Sequence, residues 1–259
     1  MRNLIIALIC SSLLVTTSAR AEYLYGFANA YTDYLSWTNG DEGWTGGVKD
    51  VSETRDDHVT LGLEAGAGFS WGEMYGFYEL EKVNMSSSLR SSAIKVNAHY
   101  KVAGNITAYG QVYDYSDSGM SSLDEQNTVL GIGYIGWASE NFWFKPYLGA
   151  HFVKSGQSGE TGYDDIDGQN GGMLGWNLGW NFKIGEQKFM LTNWNEIEFA
   201  RNDDYSDLQY SETGINGGAA IWYDITDKIY TGIQYRYFKN KLGVDGYGDA
   251  IIFRIGIHL

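Results

Sequence analysis

Apolar and polar residues alternate with a period of two along most of the chain, and helical i, i+3, i+4 patterning is absent. The clearest run sets Leu174, Trp176, Leu178, Trp180, Phe182 and Ile184 against Gly175, Asn177, Gly179, Asn181 and Lys183. A second sets Val59, Leu61, Leu63, Ala65, Ala67 and Phe69 against Thr60, Gly62, Glu64, Gly66 and Gly68. A third sets Ile94, Val96, Ala98 and Tyr100 against Lys95, Asn97, His99 and Lys101. Segments of this kind predict twelve strands, over 23–36, 58–70, 74–84, 92–102, 106–116, 126–138, 142–155, 172–184, 188–201, 209–224, 228–239 and 249–259.

The predicted connections alternate in length. Short turns fall at 71–73, 103–105, 139–141, 185–187 and 225–227, and longer polar loops at 37–57, 85–91, 117–125, 156–171, 202–208 and 240–248. An even number of strands of about ten residues, with short turns at one end and long loops at the other, describes an all-β, antiparallel transmembrane barrel of the bacterial outer membrane. A secreted β-sandwich or lipocalin-like barrel would alternate too. The membrane reading is favoured by aromatics crowding strand ends: Tyr23, Tyr25, Trp71, Tyr100, Trp137, Phe142 to Phe144, Trp222 and Tyr223, as in interfacial girdles. The last residues, Ile251, Phe253, Ile255, Ile257 and Leu259, form an alternating apolar strand. Pro146, the only proline, predicts a bulge, because it cannot donate to a ladder.

The first 21 residues read as a secretory signal: Arg2, an apolar stretch from Leu4 to Val15, and a small-x-small site at Ala19-Arg20-Ala21. Residues 22–259 are then one barrel domain. The single cysteine, Cys10, lies in that signal, leaving no thiol for a disulfide, and Ile9 before it does not suit lipidation. Losing Arg2 and Arg20 moves the formal charge from -14 to -16, which argues against nucleic acid as a partner. The composition agrees with a barrel. Gly is abundant at 34 residues, aromatics make up 15%, and the mean hydropathy is -0.29, too polar for a bundle of membrane helices.

Twelve strands predict a narrow lumen, between barrels filled by side chains and wide porins. Period two places Glu64, Phe77, Glu79, Glu81, Lys95, Asn97, His99, Lys101, Lys145, His151, Asn177, Asn181, Lys183, Asn216, Gln234, Arg236, Arg254 and His258 inside. Facing is ambiguous in the first, fifth and ninth strands; Glu196 and Glu198 read as inward, while Asn193 and Asn195 spoil the alternation. Glu79 and Glu81 on the third strand, beside Lys95, His99 and Lys101 on the fourth, predict cross-strand ion pairs. These groups either fill the barrel structurally or line a solute path of mixed polarity. A nucleoside would use such donors and acceptors, with Phe77, Tyr75 or Tyr78, and Tyr109 or Tyr113 offering faces for its base.

The stretch Tyr75-Gly76-Phe77-Tyr78-Glu79, the paired strands Ile106–Tyr115 and Val129–Trp137, and Tyr235-Arg236-Tyr237 through Lys241-Leu242-Gly243 to Asp249 resemble the Tsx nucleoside-specific channel family, including its OmpK branch. The resemblance spans nearly the whole mature chain. It implies a monomeric twelve-stranded barrel passing nucleosides and deoxynucleosides, with some members serving as phage or colicin receptors, and it places Phe77, Glu79 and Glu81 at the pore lining.

An outer-membrane enzyme would need a Ser–His pair with an orienting group. None of the four histidines is predicted to face lipid, and Gly156-Gln157-Ser158-Gly159 only resembles a nucleophile elbow. The loops are acidic, at Asp41, Glu42, Asp50, Glu53, Asp56 and Asp57, at Glu160, Asp164, Asp165 and Asp167, and at Asp203, Asp204 and Asp207. The 163–168 stretch hints at calcium without the closing Glu of a full site; solvated loops, or divalent bridges to lipopolysaccharide phosphates, are the plainer reading. No plug domain, nucleotide-binding motif or cofactor motif is present. The sequence therefore predicts a passive, non-enzymatic outer-membrane channel for small hydrophilic solutes, most simply nucleosides; a general narrow porin and a surface receptor barrel are the alternatives.

Overall fold

The computed structural model describes residues 21–38, 55–118, 122–158 and 166–259. The signal sequence with Cys10, the acidic positions 41, 42, 50, 53, 160, 164 and 165, and all but the last three residues of the calcium-like stretch lie outside these residues.

The strands are β1 (Tyr23–Thr38), β2 (His58–Phe69), β3 (Gly72–Glu81), β4 (Ser91–Ala103), β5 (Ile106–Asp117), β6 (Ser122–Tyr134), β7 (Trp137–Ala138), β8 (Phe142–Ser158), β9 (Ile166–Ile184), β10 (Gln187–Phe199), β11 (Gly214–Asp224), β12 (Ile229–Lys241) and β13 (Val244–His258). A 3-10 turn at Ser87–Leu89 and one short helix, α1 (Asp203–Leu208), complete the described elements. Each strand pairs antiparallel with its sequence neighbour; β1 pairs with β13, and β6 with β8, so the sheet closes on itself. Twelve long strands make the ring, and β7 is the continuation of β6 past a break. Closure pairs the backbone groups of neighbouring strands all round the ring, which is what allows a sheet to cross a bilayer.

Period-two facing follows the pairing. The outer face carries Leu61, Leu63, Ile94, Val96, Leu130, Ile132, Ile233, Phe253 and Ile255, all exposed on the isolated chain and therefore available to lipid. Near the short turns, aromatic rings run round the outer wall. Phe69 stacks on Trp71 (5.1 Å), Trp137 on Phe144 (5.6 Å), Trp180 on Phe182 (4.9 Å) and Phe182 on Phe189 (5.5 Å). Two expected members of this girdle point the other way. Tyr25 donates to Glu73 (2.6 Å) and Trp222 to Thr192 (2.8 Å), both within the lumen, because Tyr25 shares the parity of Asn29 and Tyr31 on β1 and Trp222 that of Asn216 on β11.

Several expected boundaries move. β9 begins at Ile166 rather than 172 and β11 at Gly214 rather than 209, and the loop expected at 202–208 folds as α1. The largest change is at 240–248. β13 starts at Val244, and the long loop expected there is a two-residue turn, Leu242–Gly243, with φ of 62° and 70°, the left-handed pair that a tight hairpin requires. Leu242 tolerates that conformation where its side chain packs on the cluster of Leu35, Trp37, Phe238 and Val244.

Pro146 behaves differently from the expectation as well. Between the pairs Gly133–Tyr147 and Trp137–Phe144, three residues of β6–β7 face Lys145 and Pro146 of β8. The extra residue belongs to the partner strand, so the missing donor of Pro146 falls where the opposite ladder is already interrupted. β8 makes its own register shift between Ala150 and Phe152, against β9.

Candidate functional site

The pairing registers place Glu64, Phe77, Glu79, Glu81, Lys95, Asn97, His99, Tyr109, Lys145, His151, Asn177, Asn181, Arg236 and Arg254 on the inner face, with Lys101, Lys183, Asn216, Gln234 and His258. They also settle the ambiguous strands. β1 turns Asn29, Tyr31, Asp33, Leu35 and Trp37 inward, β5 turns Tyr109, Gln111 and Tyr113 inward, and β10 does so with Thr192, Trp194, Glu196 and Glu198. Asn193 and Asn195 face outward, where Trp176 donates to Asn193 (2.8 Å) and Tyr237 to Asn195 (2.6 Å). Those bonds are what let two amides interrupt an apolar face.

The expected ion pairs between β3 and β4 do not form. Glu79 lies opposite Ala93 and Glu81 opposite Ser91, and Glu81 accepts a hydrogen bond from Ser91 (2.7 Å). His99 bonds Thr107 (2.8 Å), and Lys101 reaches the Ser70 carbonyl (3.5 Å). Lys95 instead pairs with Glu196, five places away round the twelve-strand ring. The same carboxylate accepts from Gln111 (2.8 Å) and Tyr147 (3.3 Å). Nearer the short turns, Lys145 pairs with Glu73 (2.7 Å) from β8 to β3. These two bridges cross the lumen and divide it.

On the β5, β6, β8 and β9 side of the bridges the lumen is packed. The rings of Tyr109 and Tyr147 stack at 4.0 Å, against Val129 and Met173, and all four are buried. His151 is fully buried and bonds Asn127 (2.8 Å) and Asn170 (3.2 Å). Above them, toward the long loops, α1 turns inward. Its Tyr205 is fully buried, donates to Glu125 (3.1 Å) and accepts from Lys241 (2.6 Å); Lys241 also pairs with Glu198 (2.7 Å). Asn202 caps this turn by accepting from the Tyr205 N–H (2.8 Å). The segment enters and leaves through two residues at positive φ, Ala200 (51°) and Tyr210 (61°). Alternation could not reveal this insertion, since it is made by a loop.

On the β1–β3 and β11–β13 side, lumenal groups keep partial exposure, among them Glu64, Phe77, Glu79, Asn216, Gln234 and Arg236. Arg254 holds Asp33 through two bonds of 2.7 Å, lies over the Tyr31 ring at 3.4 Å, and approaches Glu64 (3.8 Å) and Glu79 (3.9 Å). Tyrosine hydroxyls serve the same carboxylates: Tyr31 donates to Glu79 (2.8 Å) and Tyr75 to Glu64 (2.9 Å). Toward the short turns the inner-face residues Asn177, Asn181 and His258 are exposed. At the opposite rim, burial works against ionisation of Asp57, but hydrogen bonds from Ser36, the Trp37 N–H and Tyr34 hold its carboxyl below the usual range. Among the described residues no group of three or more His, Cys, Asp or Glu side chains converges as a metal site.

A closed antiparallel barrel with an aromatic-girdled apolar exterior and part-exposed polar groups along one side of its lumen is an integral outer-membrane channel. The chain belongs to the Tsx family: the family model described as the nucleoside-specific channel-forming protein Tsx matches residues 31–258. Family and fold are those of channel porins, which pass small solutes and are not enzymes. Among solved structures, the chain is similar to the NanC porin, at 13% identity and a TM-score of 0.48, over 89% of this chain and 98% of that one. It is also similar to the outer membrane channel DcaP of Acinetobacter baumannii (11%, TM-score 0.36, 95% and 99%) and to OprD of Pseudomonas aeruginosa (9%, TM-score 0.30, 95% and 98%).

Proposed function

We propose that the open side of the lumen passes nucleosides and deoxynucleosides by diffusion, and that Glu64, Phe77 and Glu79 contact them. The observation that carries this reading is the concentration of hydrogen-bonding groups on that side. Asp33, Glu64 and Glu79 gather round Arg254 and the tyrosine hydroxyls, so an uncharged polar solute meets donors, acceptors and the Phe77 ring together. Ring faces suit a flat base of any identity. The test is single-channel conductance of the mature protein in a planar bilayer during titration with adenosine or thymidine. Saturable block, weakened in Phe77→Ala and Glu79→Gln, supports a nucleoside path; steady conductance indifferent to both solutes makes the chain a general narrow porin.

The crossing bridges and the inserted Tyr205 favour a second reading, a surface receptor for phage or colicin whose lumen carries no solute; absence of conductance would select it. We also propose that residues 1–21 are removed as a secretory signal, that 22–259 form one domain, and that the barrel works as a monomer among lipid and lipopolysaccharide. Intact mass after export and light scattering in detergent test these points.

A further inference from the structure

We propose that Arg236 is an oxyanion subsite in the lumen, fitted to the phosphate of a ribose phosphate such as a nucleoside 5′-monophosphate. The proposal rests on the reading of the open side as a path for ribosylated solutes. Four lumenal cations are committed to carboxylates: Lys95 to Glu196, Lys145 to Glu73, Lys241 to Glu198, and Arg254 to Asp33. Arg236 makes no ion pair or hydrogen bond with a described residue, and its Nε is buried without a partner. A guanidinium held in a narrow lumen with no carboxylate of the described residues within 4.0 Å can take an anion from solution, and its fork matches phosphate oxygens.

Arg236 lies opposite Gly218 on one side and Ala250 on the other, small residues whose own outer neighbours in the row are Trp194 and Trp37. Asn216, diagonal to it across β11 and β12, has a buried Oδ1 that is also without a partner and can accept from a ribose hydroxyl or a base N–H. Arg55 enters from the β1–β2 segment, lies over the Trp37 ring at 5.1 Å, and donates to the Leu242 carbonyl. Glu79 and Glu81 face the lumen from β3. They leave a dianion opposed on one wall and attracted on the other, which fixes the solute's orientation.

The experiment is channel block of the reconstituted mature protein by adenosine 5′-monophosphate, adenosine and inorganic phosphate, in the wild type, Arg236→Gln and Arg236→Lys. We expect the monophosphate to block at about tenfold lower concentration than adenosine, a difference of about 1.4 kcal/mol. The ratio should fall to near one in Arg236→Gln and be partly retained in Arg236→Lys; heat-modifiable migration on gels confirms that the variants fold. Equal block by the two solutes in the wild type, or a preference that survives Arg236→Gln, overturns the proposal. If phosphate blocks and Arg236→Gln abolishes it while adenosine is inert, the subsite stands and the nucleoside reading falls.

Discussion

The two sides of the lumen are built from the same kinds of residue and behave differently. On the β5–β9 side, Tyr109, Gln111, Tyr147 and His151 are buried and bonded to one another or to Glu196 and Asn127. On the β1–β3 and β11–β13 side, Tyr75, Glu64, Glu79 and Gln234 are equally polar yet remain partly open to solvent. What separates them is two lysines reaching across the barrel. Once Lys95 and Lys145 are tied to Glu196 and Glu73, the side behind the bridges is closed, while the side in front of them keeps part-exposed polar groups between the buried clusters round Trp37 and Trp222.

Removing Tyr205 should have the largest effect. Tyr205→Ala empties a fully buried site and leaves Lys241 and Glu125 without its hydroxyl. A loss of about 3 kcal/mol is expected by chemical unfolding in detergent, together with higher single-channel conductance. Glu196→Ala comes next. It strands Lys95 and unties the wall, and since both side chains are 14% exposed the penalty is below that of a dry pair, about 2 kcal/mol; the conductance step should again rise, and an unchanged step would mean that the bridge does not bound the passage.

Two glycines sharpen the contrast. A methyl at Gly175 would lie 2.3 Å from the packed Tyr147 ring, whereas one at Gly218 meets Trp194 Nε1 at 2.8 Å on the open side. Gly175→Ala should therefore cost about 2 kcal/mol and Gly218→Ala clearly less, as read from paired unfolding curves. The smallest effect is expected outside the lumen. Lys188 and Asp227 pair at 2.8 Å while both are largely exposed, and Lys188→Ala should leave stability and conductance unchanged, as exposed pairs usually do.

Much of the wall was legible in advance because alternation is a local signal. The inward assignment of Lys95, Asn177 or Arg254 needs only a strand and its parity. The partners of those residues were not legible, because register between strands is set by turns and by closure of the ring. Lys95 was expected to meet Glu79 on the adjacent strand, and found Glu196, 101 residues away. Loops carry even less pattern. Nothing in Asn202-Asp203-Asp204-Tyr205 distinguishes a solvated acidic loop from one that drives a tyrosine into the lumen. The turn at Leu242–Gly243 was hidden for the opposite reason: the polar residues Asp245 to Asp249 read as a loop, yet they continue a strand past the membrane.

The seam between β1 and β13 has a consequence in time. The amide of Leu259 donates to the carbonyl of Ala28 (2.9 Å), and Asn29 stands opposite His258, so the first strand made must wait for the last. Until translation and export deliver the final residues, β1 presents an unpaired edge, the kind of surface on which chains aggregate. A chain truncated by one strand would not be a slightly smaller pore but an open ribbon with two sticky margins. Completion is therefore all-or-none, and quality control can be exercised at a single joint.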